Sequence, residues 1–527
     1  MRDRLVSREL NPLLTTLPDK FQDIYNYQID AITEIISAFD DGYRMVVLEA
    51  PTGSGKTFIA EVVRRMLKTR AVYVCHNKEL QLQFARDFPY SRVLMGRVNY
   101  EPPIQIEKVT CEDCAGQDCT YCPEISACPY TVAKRQAIFS PVPVLNSAYW
   151  LNEVQGQRSR FTNTGLAILD EADTLENVLM GQVEVYVGER AQKKYGIRPP
   201  EKLTVQAGYA DWCKHALDRI QRPLSSLLSL EFPDLTQQRE IRRLGNLQDT
   251  LSIMSEDLSN EWPWVYTGGA GSKKRTGEVV SFKPVRVDRF GERRVWSRDK
   301  RFLLMAALLP DVVIGSLGWK EPYKRVMVES QFKPVNRQVV VKPIAKVTRK
   351  GFDAGQLGQL RDGVNDIIRE VPTGRVLIHS VSYSLREQLY TGLQSNGRRV
   401  LTYRQAGERA RAIQEYKDNP ASILVAPGLE RGLDLPDDLC RAQIICKVPF
   451  LSLGDKQVES RYYRTPDGKV WYNNHVATTV LQMVGRGVRH REDWCTTYVL
   501  DETFVGWYKM WGHLLPQWFR RSVRIEY

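Results

Sequence analysis

Short apolar runs alternate with stretches that carry apolar residues at helical spacing. The first clear run, 45–48, has four apolar residues of the kind that form a strand buried on both faces. After it, apolar residues recur at i, i+3, i+4, i+7 and i+8, as in an amphipathic helix: Ile59, Val62, Val63, Met66 and Leu67. A buried strand followed at once by such a helix predicts an α/β unit with a parallel sheet.

The same alternation predicts further strands in two parts of the chain, at 71–75, 166–169, 376–378, 423–426, 444–446 and 498–500. Between the two parts, residues 175–300 have a helical, insertion-like character, with a seam of three- and four-residue steps formed by Leu244, Leu247, Leu251, Met254 and Leu258. The α/β pattern resumes at Phe302. The chain is therefore predicted to hold two α/β units, the first interrupted by an insertion.

The residues between the first strand and its helix read APTGSGKT, the spacing of a phosphate-binding loop: Ala50, Pro51, Thr52, Gly53, Ser54, Gly55, Lys56 and Thr57. The two glycines let the backbone curl so that its N–H groups and the helix N-terminus face a triphosphate. Lys56 is expected on the β- and γ-phosphates, and Thr57 is expected to hold Mg²⁺ through its hydroxyl. In this setting the motif predicts a nucleotide-binding protein.

An acidic tetrad, Asp170-Glu171-Ala172-Asp173, follows the predicted strand 166–169. The carboxyl end of a strand is where α/β proteins bind their ligands. Asp170 is expected to complete the Mg²⁺ site, and Glu171 to orient and deprotonate the attacking water.

The second α/β unit carries residues suited to contact the same nucleotide. Gly432 and Asp434 follow a predicted strand, and QMVGRGVR at 482–489 supplies Gln482, Arg486 and Arg489. Two arginines three residues apart share one helical face and can reach a γ-phosphate held by another domain. This spacing predicts an arginine finger.

The amino-acid composition indicates a polyanionic partner. With 74 Lys and Arg against 62 Asp and Glu the net charge is +12, which favours nucleic acid. The first ten residues are charged and lack the apolar core of a secretory signal, and the longest apolar run, 302–309, is too short to cross a bilayer. We expect a cytoplasmic protein, associated with the nucleoid or other intracellular DNA, without membrane contact.

Ten cysteines in a cytosolic protein are not expected to form a disulfide framework. Five of them crowd into one short stretch, spaced C-x2-C-x4-C-x2-C-x5-C: Cys111, Cys114, Cys119, Cys122 and Cys128. Such crowding of soft ligands predicts a metal site. Zinc takes four tetrahedral thiolates, which two CxxC pairs supply, whereas a 4Fe–4S cluster takes four thiolates at irregular spacing. The residues alone leave both open.

Together these motifs resemble those of superfamily 2 helicases, and more narrowly the iron–sulfur DNA helicases of the XPD/DinG type. The broad resemblance covers most of the chain and rests on APTGSGKT, YVCHNKELQLQF at 73–84, DEAD and QMVGRGVR. The narrower one rests on GRVNY at 96–100, the cysteines before the DEAD tetrad, and CPYTVAKRQAIFSPVPVLNSAYWL at 128–151. It implies an adenine-reading role for Gln28 and a 4Fe–4S cluster on four of the five cysteines, Cys128 among them.

The implied fold is α/β, with two RecA-like parallel-sheet domains and ATP in the cleft between them. The implied division is a first RecA-like ATP-binding domain at 1–174 that includes a cysteine-rich Fe–S module at 100–145, a helical arch-like insertion at 175–300, a return to the first domain at 301–334, and a second RecA-like helicase domain at 335–527.

The chain departs from the family pattern at several positions. The tetrad ends in Asp173 where the family usually has His, and Arg431 stands where the family tends to place Gly. Glu101-Pro102 stand where a family cysteine often follows GRxNY, so five cysteines compete for four places. The SAT-like segment reads Ala306-Ala307-Leu308, without the hydroxyls that help link hydrolysis to strand separation. We expect no exonuclease domain before the helicase core, unlike in some DinG-type proteins.

The expected function is that of an ATP-dependent 5′-to-3′ DNA helicase which moves along single-stranded DNA and couples hydrolysis to unwinding. The direction is implied by the family, whose two insertions frame a pore for the strand. The expected partners are single-stranded DNA and forked or tailed duplexes, bound by a monomer, and the expected cofactors are ATP, Mg²⁺ and a 4Fe–4S cluster, with zinc as the alternative. Two other functions stay open: a DEAD-type RNA helicase, and a metal-stabilised nucleic-acid-binding scaffold with weak ATPase.

Overall fold

The structure is a computed structural model, which describes residues 12–18, 21, 24–102, 110–112, 126–155, 159–162, 164–200, 206–231, 233–270, 278–296, 299–348, 352–371, 374–431, 433–490 and 492–526. The strands in these residues are β1 (Met45–Glu49), β2 (Ala71–Cys75), β3 (Arg92–Leu94), β4 (Pro143–Asn146), β5 (Leu166–Asp170), β6 (Val185–Val187), β7 (Trp264–Tyr266), β8 (Gly269–Ala270), β9 (Glu278–Pro284), β10 (Phe302–Ala306), β11 (Lys324–Met327), β12 (Val339–Ala345), β13 (Val376–His379), β14 (Arg399–Leu401), β15 (Ser422–Ala426), β16 (Ala442–Ile445), β17 (Thr496–Asp501) and β18 (Val523–Ile525).

The first sheet holds seven parallel strands in the order β11-β1-β10-β5-β2-β4-β3, and we call the part of the chain built on it the first unit. Alternate residues of β1 belong to two separate apolar clusters, Met45 and Val47 to one and Val46 and Leu48 to the other. The sheet is therefore covered on both faces, as an all-parallel sheet requires. Its helices are Asn26–Asp40, Lys56–Met66, Lys78–Asp87, Pro129–Phe139, Ser147–Gln155, Leu175–Val183 and Asp311–Ser316.

The register of the first sheet aligns the ends of three strands. β10 lies between β1 and β5, where Ala306 pairs with Glu49 and Met305 pairs with Asp170. The residues that follow these strands therefore meet at one edge of the sheet, which is where parallel α/β sheets bind ligands.

The second sheet also has seven parallel strands, in the order β14-β15-β13-β16-β17-β12-β18, and defines the second unit. Its helices are Ala354–Glu370, Tyr383–Tyr390, Arg409–Asp418, Lys456–Arg464, Gly468–Val484, Thr503–Trp511 and Gln517–Arg520. The four strands predicted here correspond to β13, β15, β16 and β17. The predicted α/β class with two parallel-sheet units is confirmed.

The insertion contains the helices Glu189–Tyr195, Gln206–Leu228, Leu235–Ser259 and Asp288–Arg294. The predicted seam is buried at Leu244, Leu247, Leu251 and Met254, where the two long helices pack together. The insertion also contains an antiparallel sheet in the order β6-β9-β7, which the sequence analysis does not predict. β6 and β7 have three residues each, too few for alternation to distinguish a strand from a helix. None of the described helices is long and apolar enough to span a membrane.

Candidate active site

The loop after β1 has the backbone of a phosphate-binding loop. Gly53 and Gly55 have φ of 83° and 80°, the left-handed region that favours glycine. A Cβ on Gly55 would lie 2.5 Å from Nε2 of Gln28, so a larger residue has no room there. The loop is braced from within, because Nζ of Lys56 donates to the carbonyls of Ala50 at 2.9 Å and Pro51 at 3.2 Å.

Gln28 contacts the same loop from the helix Asn26–Asp40. Its Nε2 donates to the Ser54 carbonyl at 3.0 Å, and its Oε1 accepts from the Tyr25 N–H at 3.1 Å. The side chain is 6% exposed, so both of its hydrogen-bonding ends are satisfied by protein. Gln28 therefore lies at the edge of the nucleotide loop, and its adenine-reading role stays a prediction.

The two predicted magnesium ligands meet at a tyrosine that the sequence analysis does not single out. The Tyr73 hydroxyl donates to Asp170 at 2.6 Å, and the Thr57 hydroxyl interacts with the same phenol oxygen. Tyr73 lies on β2 beside β5, so the parallel register brings it to Asp170. Hydroxyl and carboxylate oxygens gathered at one point fit the hard ligands that Mg²⁺ prefers.

Glu171 lies in a left-handed turn directly after β5. Its φ is 50°, which is uncommon for a non-glycine residue, and its own N–H donates to Asp170 at 2.9 Å. Burial raises the pKa of its carboxyl to about 7, against the opposing charge of Arg431. Burial also lowers the pKa of Lys56, against the charges of Asp170 and Glu171. The carboxylates of Asp170 and Glu171 and the ammonium group of Lys56 thus lie together in a site shielded from water.

The second unit presents its predicted residues to this edge. Nε2 of Gln482 donates to Asp173 at 2.7 Å. Arg486 is 7% exposed and donates to the carbonyls of Gln482 at 2.8 Å and Leu433 at 2.7 Å. Arg489 pairs with Asp434 and donates to the Gly485 carbonyl at 2.7 Å. The predicted arginines therefore lie together, each with hydrogen bonds within its own unit. The prediction that they share one helical face is wrong, because the helix Gly468–Val484 ends before Arg486 and both arginines lie in the non-helical segment that follows.

The phosphate loop and the arginine segment touch across the cleft. A Cβ on Gly53 would lie 2.9 Å from the carbonyl oxygen of Arg489, and a Cβ on Gly485 would lie 3.0 Å from Oγ1 of Thr52. Larger residues would therefore push the two units apart. The predicted nucleotide residues of the two halves of the chain form one site.

The segment Ala306-Ala307-Leu308 begins at the last residue of β10, which lies between the strands that carry the phosphate loop and the acidic tetrad. Leu308 is buried in an apolar cluster whose other buried members, among them Val480, come from the second unit. Next to it, the Leu309 N–H donates to Glu49 at 2.7 Å. The segment without hydroxyls thus contacts the second unit by apolar packing.

Two of the five cysteines lie in the described part of the chain. Cys111 and Cys128 are buried, with their Sγ atoms 3.7 Å apart. With Zn–S bonds of about 2.3 Å, two thiolates on one tetrahedral ion lie about 3.8 Å apart, so the pair fits adjacent ligands of one metal ion. Burial raises the pKa of the Cys128 thiol, but hydrogen bonds from Thr131 and Cys111 outweigh it and lower the pKa, which favours the thiolate that binds metal.

Four predicted site residues lie outside the described residues: Gly432, Cys114, Cys119 and Cys122. Two residues of the cleft are not predicted as site residues from the sequence. Tyr73 gives no signal beyond its place in a buried strand, and Arg431 is noted only as a departure from the family pattern although it contacts Asp173 at 2.6 Å.

Comparison with known proteins points to one class. Residues 364–522 match the family described as Helicase C-terminal domain, and residues 22–180 match that described as Type III restriction enzyme, res subunit. The ATP-dependent DNA helicase CHL1 of Vanderwaltozyma polyspora is 24% identical over 184 residues, 29% of this chain and 22% of that protein. The Fanconi anemia group J protein homolog of Gallus gallus is 31% identical over 118 residues, 20% of this chain and 9% of that protein. The chain thus matches less than a quarter of the length of either relative.

Two solved structures share the fold over nearly the whole chain. The structure titled XPD helicase has a TM-score of 0.62 at 14% identity and covers 96% of this chain and 100% of that one. The structure of S. tokodaii Xpd4 has a TM-score of 0.56 at 14% identity, with coverage of 95% and 100%. The fold and the two matched regions therefore resemble those of two-unit helicases of superfamily 2. Within that class the chain resembles the XPD/DinG type, and the predicted resemblance is confirmed.

Proposed function

We propose that the protein is an ATP-dependent DNA helicase that moves 5′ to 3′ on single-stranded DNA. The observation that carries the proposal is the contact of the phosphate loop with the arginine segment across the cleft, because a site shared by two units changes shape with each round of ATP binding and hydrolysis. The relatives named as DNA helicases support DNA as the track.

In the proposed site, Lys56 and Thr57 bind MgATP and Asp170 holds Mg²⁺. Glu171 orients and deprotonates the attacking water, and Arg486 and Arg489 stabilise the charge that develops in the transition state. The other proposed nucleotide contacts are Gln28, 50–55, Gly432, Asp434 and Gln482. We keep the division at residues 174, 300 and 334 as the proposed domain boundaries, although the helix Leu175–Val183 packs on the first sheet and is counted with the first unit in describing contacts, and we propose a monomer as the active form.

A groove between the first unit and the insertion supports passage of a nucleic-acid strand. Its volume is about 1080 Å³, and its lining holds Arg97, Lys134 and Arg242 together with four carboxylates. Of these carboxylates, Glu153 pairs with Lys134 and Glu112 with Arg242. A strand in the groove would exchange these ion pairs for phosphate contacts, which make binding weaken steeply with salt. In the XPD/DinG type, the two insertions of the first domain orient the strand, which is the ground for the proposed direction.

Paired duplexes that differ only in a 5′ or a 3′ single-stranded tail test the function. We expect ATPase stimulated by single-stranded DNA and unwinding of the 5′-tailed duplex alone. Lys56→Ala is the control, because loss of its charge should abolish ATPase and leave DNA binding largely intact. Unwinding of only the 3′-tailed duplex would contradict the direction. Stimulation by RNA alone would favour the DEAD-type RNA helicase, and no stimulation would favour the scaffold.

We also propose that the cysteine segment holds a metal centre, a 4Fe–4S cluster as the resemblance implies. Cys111 and Cys128 would be ligands, and the remaining two would come from Cys114, Cys119 and Cys122. When bound, such a centre supplies folding energy to a short segment rather than chemistry to the ATP site. The 3.7 Å separation of the two described sulfurs fits ligands of one zinc ion, whereas the thiolates of a 4Fe–4S cluster bind separate irons and lie farther apart, so zinc is the alternative that this geometry favours.

Metal analysis of protein prepared without oxygen separates the two centres. We expect a brown protein with about four irons per chain. Cys128→Ser should remove the iron and colour, while ATPase persists at a lower level because the nucleotide residues lie elsewhere. One zinc per chain and no iron would exclude the cluster and leave the helicase proposal standing.

A further inference from the structure

Two residues that depart from the family pattern contact each other across the cleft. Nη2 of Arg431, in the second unit, lies 2.6 Å from Oδ2 of Asp173, in the first unit, although the residues are 258 positions apart. Their side chains are 24% and 5% exposed. Asp173 is nearly buried, so removing Arg431 would leave its carboxylate without a compensating cation. The two departures from the family pattern therefore explain each other, because the two side chains form one ion pair.

The second terminal nitrogen of Arg431 faces Glu171. Nη1 lies 3.8 Å from Oε2 of Glu171, within reach of an ion pair. Within the described part of the chain, both atoms are buried and neither has a hydrogen-bond partner. Buried polar atoms that stay unpaired are costly, so a small closing movement that joins these two is favourable.

Asp173 accepts a further hydrogen bond from the second unit. Nε2 of Gln482 donates to the same Oδ2 at 2.7 Å, from the helix that ends just before Arg486. Arg431 and Gln482 thus hold one carboxylate of the first unit. This arrangement exists only while the two units are closed, because neither donor belongs to the unit that carries Asp173 and Glu171.

We propose that Arg431 is a positioning residue which, anchored by Asp173, orients the Glu171 carboxylate toward the attacking water only when the two units are closed. Hydrolysis would then wait for closure, because the base is aligned by a side chain of the opposite unit. This inference rests on the proposed function, since Glu171 has a water to activate only if ATP is hydrolysed in the cleft.

A double-mutant cycle on the steady-state ATPase with single-stranded DNA tests the contact: Arg431→Ala, Asp173→Ala and the two together. We expect Arg431→Ala to lower kcat about ten- to hundredfold, within the range of coupled neighbours. KM for ATP should change less than about threefold, because the interaction counts in the transition state. The double variant should be no slower than Arg431→Ala. Arg431→Lys should recover part of the rate, because it keeps the charge but not the planar fork.

The matched control is Arg286→Ala. Arg286 also forms an ion pair with the second unit, 3.3 Å from Asp467, and is 26% exposed, but it lies outside the cleft. It should leave kcat unchanged. Losses that multiply in the double variant, or a KM that rises while kcat holds, would overturn the inference and leave the proposed function intact. A parent protein without ATPase would overturn the proposed function itself.

Discussion

Two of the charged contacts between the first and second units start from residues only one helical turn apart. Asp173 pairs with Arg431 in the ATP cleft, and Glu176 pairs with Arg461 away from it. Arg461 is fully buried, lies over the Trp471 ring at 4.0 Å, and also donates to a first-unit serine hydroxyl. Arg431 is partly exposed and borders the predicted nucleotide site.

The two contacts are expected to differ in how permanent they are. The Glu176–Arg461 contact, which we call the joint, is expected to stay formed, whereas the Asp173–Arg431 contact is expected to open. Breaking a buried ion pair costs about 3–5 kcal/mol, so the Glu176–Arg461 contact is expected to persist through a catalytic cycle. Trp471 strengthens it, because Nε1 donates to Glu176 at 3.1 Å. The Asp173–Arg431 contact lies beside Glu171, where ATP binding and hydrolysis change the local charge. The joint is therefore expected to hold the two units together more strongly than the Asp173–Arg431 contact.

The largest expected effect concerns the cleft alone. Arg489→Ala should lower the ATP hydrolysis rate about a thousandfold, as for other arginine fingers, because its contact is strongest as charge develops. ATP affinity should fall much less, and Tm should stay unchanged because its partner Asp434 is mostly exposed. Single-turnover hydrolysis, ATP binding and thermal unfolding are the measurements. A fall in Tm comparable to the fall in rate would make Arg489 part of the joint.

The residues of the predicted nucleotide site could be found from sequence because they lie in short motifs at strand ends. APTGSGKT and the tetrad carry their own spacing, and the parallel register then brings Gly53, Lys56, Asp170 and Glu171 to one edge. In the second unit, Arg486 and Arg489 were predicted from their spacing, although they lie in the segment after a helix and not on a helical face. No distant contact had to be known for any of these.

The Glu176–Arg461 contact could not be predicted, because it joins residues that are far apart in the chain. Arg461 and Glu176 are separated by 285 positions, and Tyr73 and Asp170 by 97. Arg461 lies in the helix Lys456–Arg464, whose basic and aromatic composition is typical of a helix on the protein surface. Only tertiary packing buries this arginine. The cysteine motif predicts ligands but not the metal, since thiolates serve both zinc and iron.

The second prediction addresses the joint. Arg461→Ala should lower the free energy of unfolding by about 3–5 kcal/mol, because Glu176 is left buried without its partner. Replacing both residues, with Arg461→Met and Glu176→Leu, should recover most of the loss, since an apolar pair of similar volume carries no desolvation penalty. Thermal unfolding of the three proteins gives the comparison. If Arg461→Ala kept the parent Tm, the buried contact would not be the joint.

The smallest expected effect comes from a third contact between the parts of the chain, Arg286 with Asp467. The two side chains are 26% and 28% exposed, more than either partner of the Glu176–Arg461 pair. Exposed ion pairs contribute about 0–1 kcal/mol, so Arg286→Ala should change the free energy of unfolding by no more than that. Screening should also make the effect shrink at high salt, whereas the effect of Arg461→Ala should not. Thermal unfolding at two salt concentrations measures both. Equal losses for the two variants would mean that position in the fold, and not burial, decides which contact holds the units together.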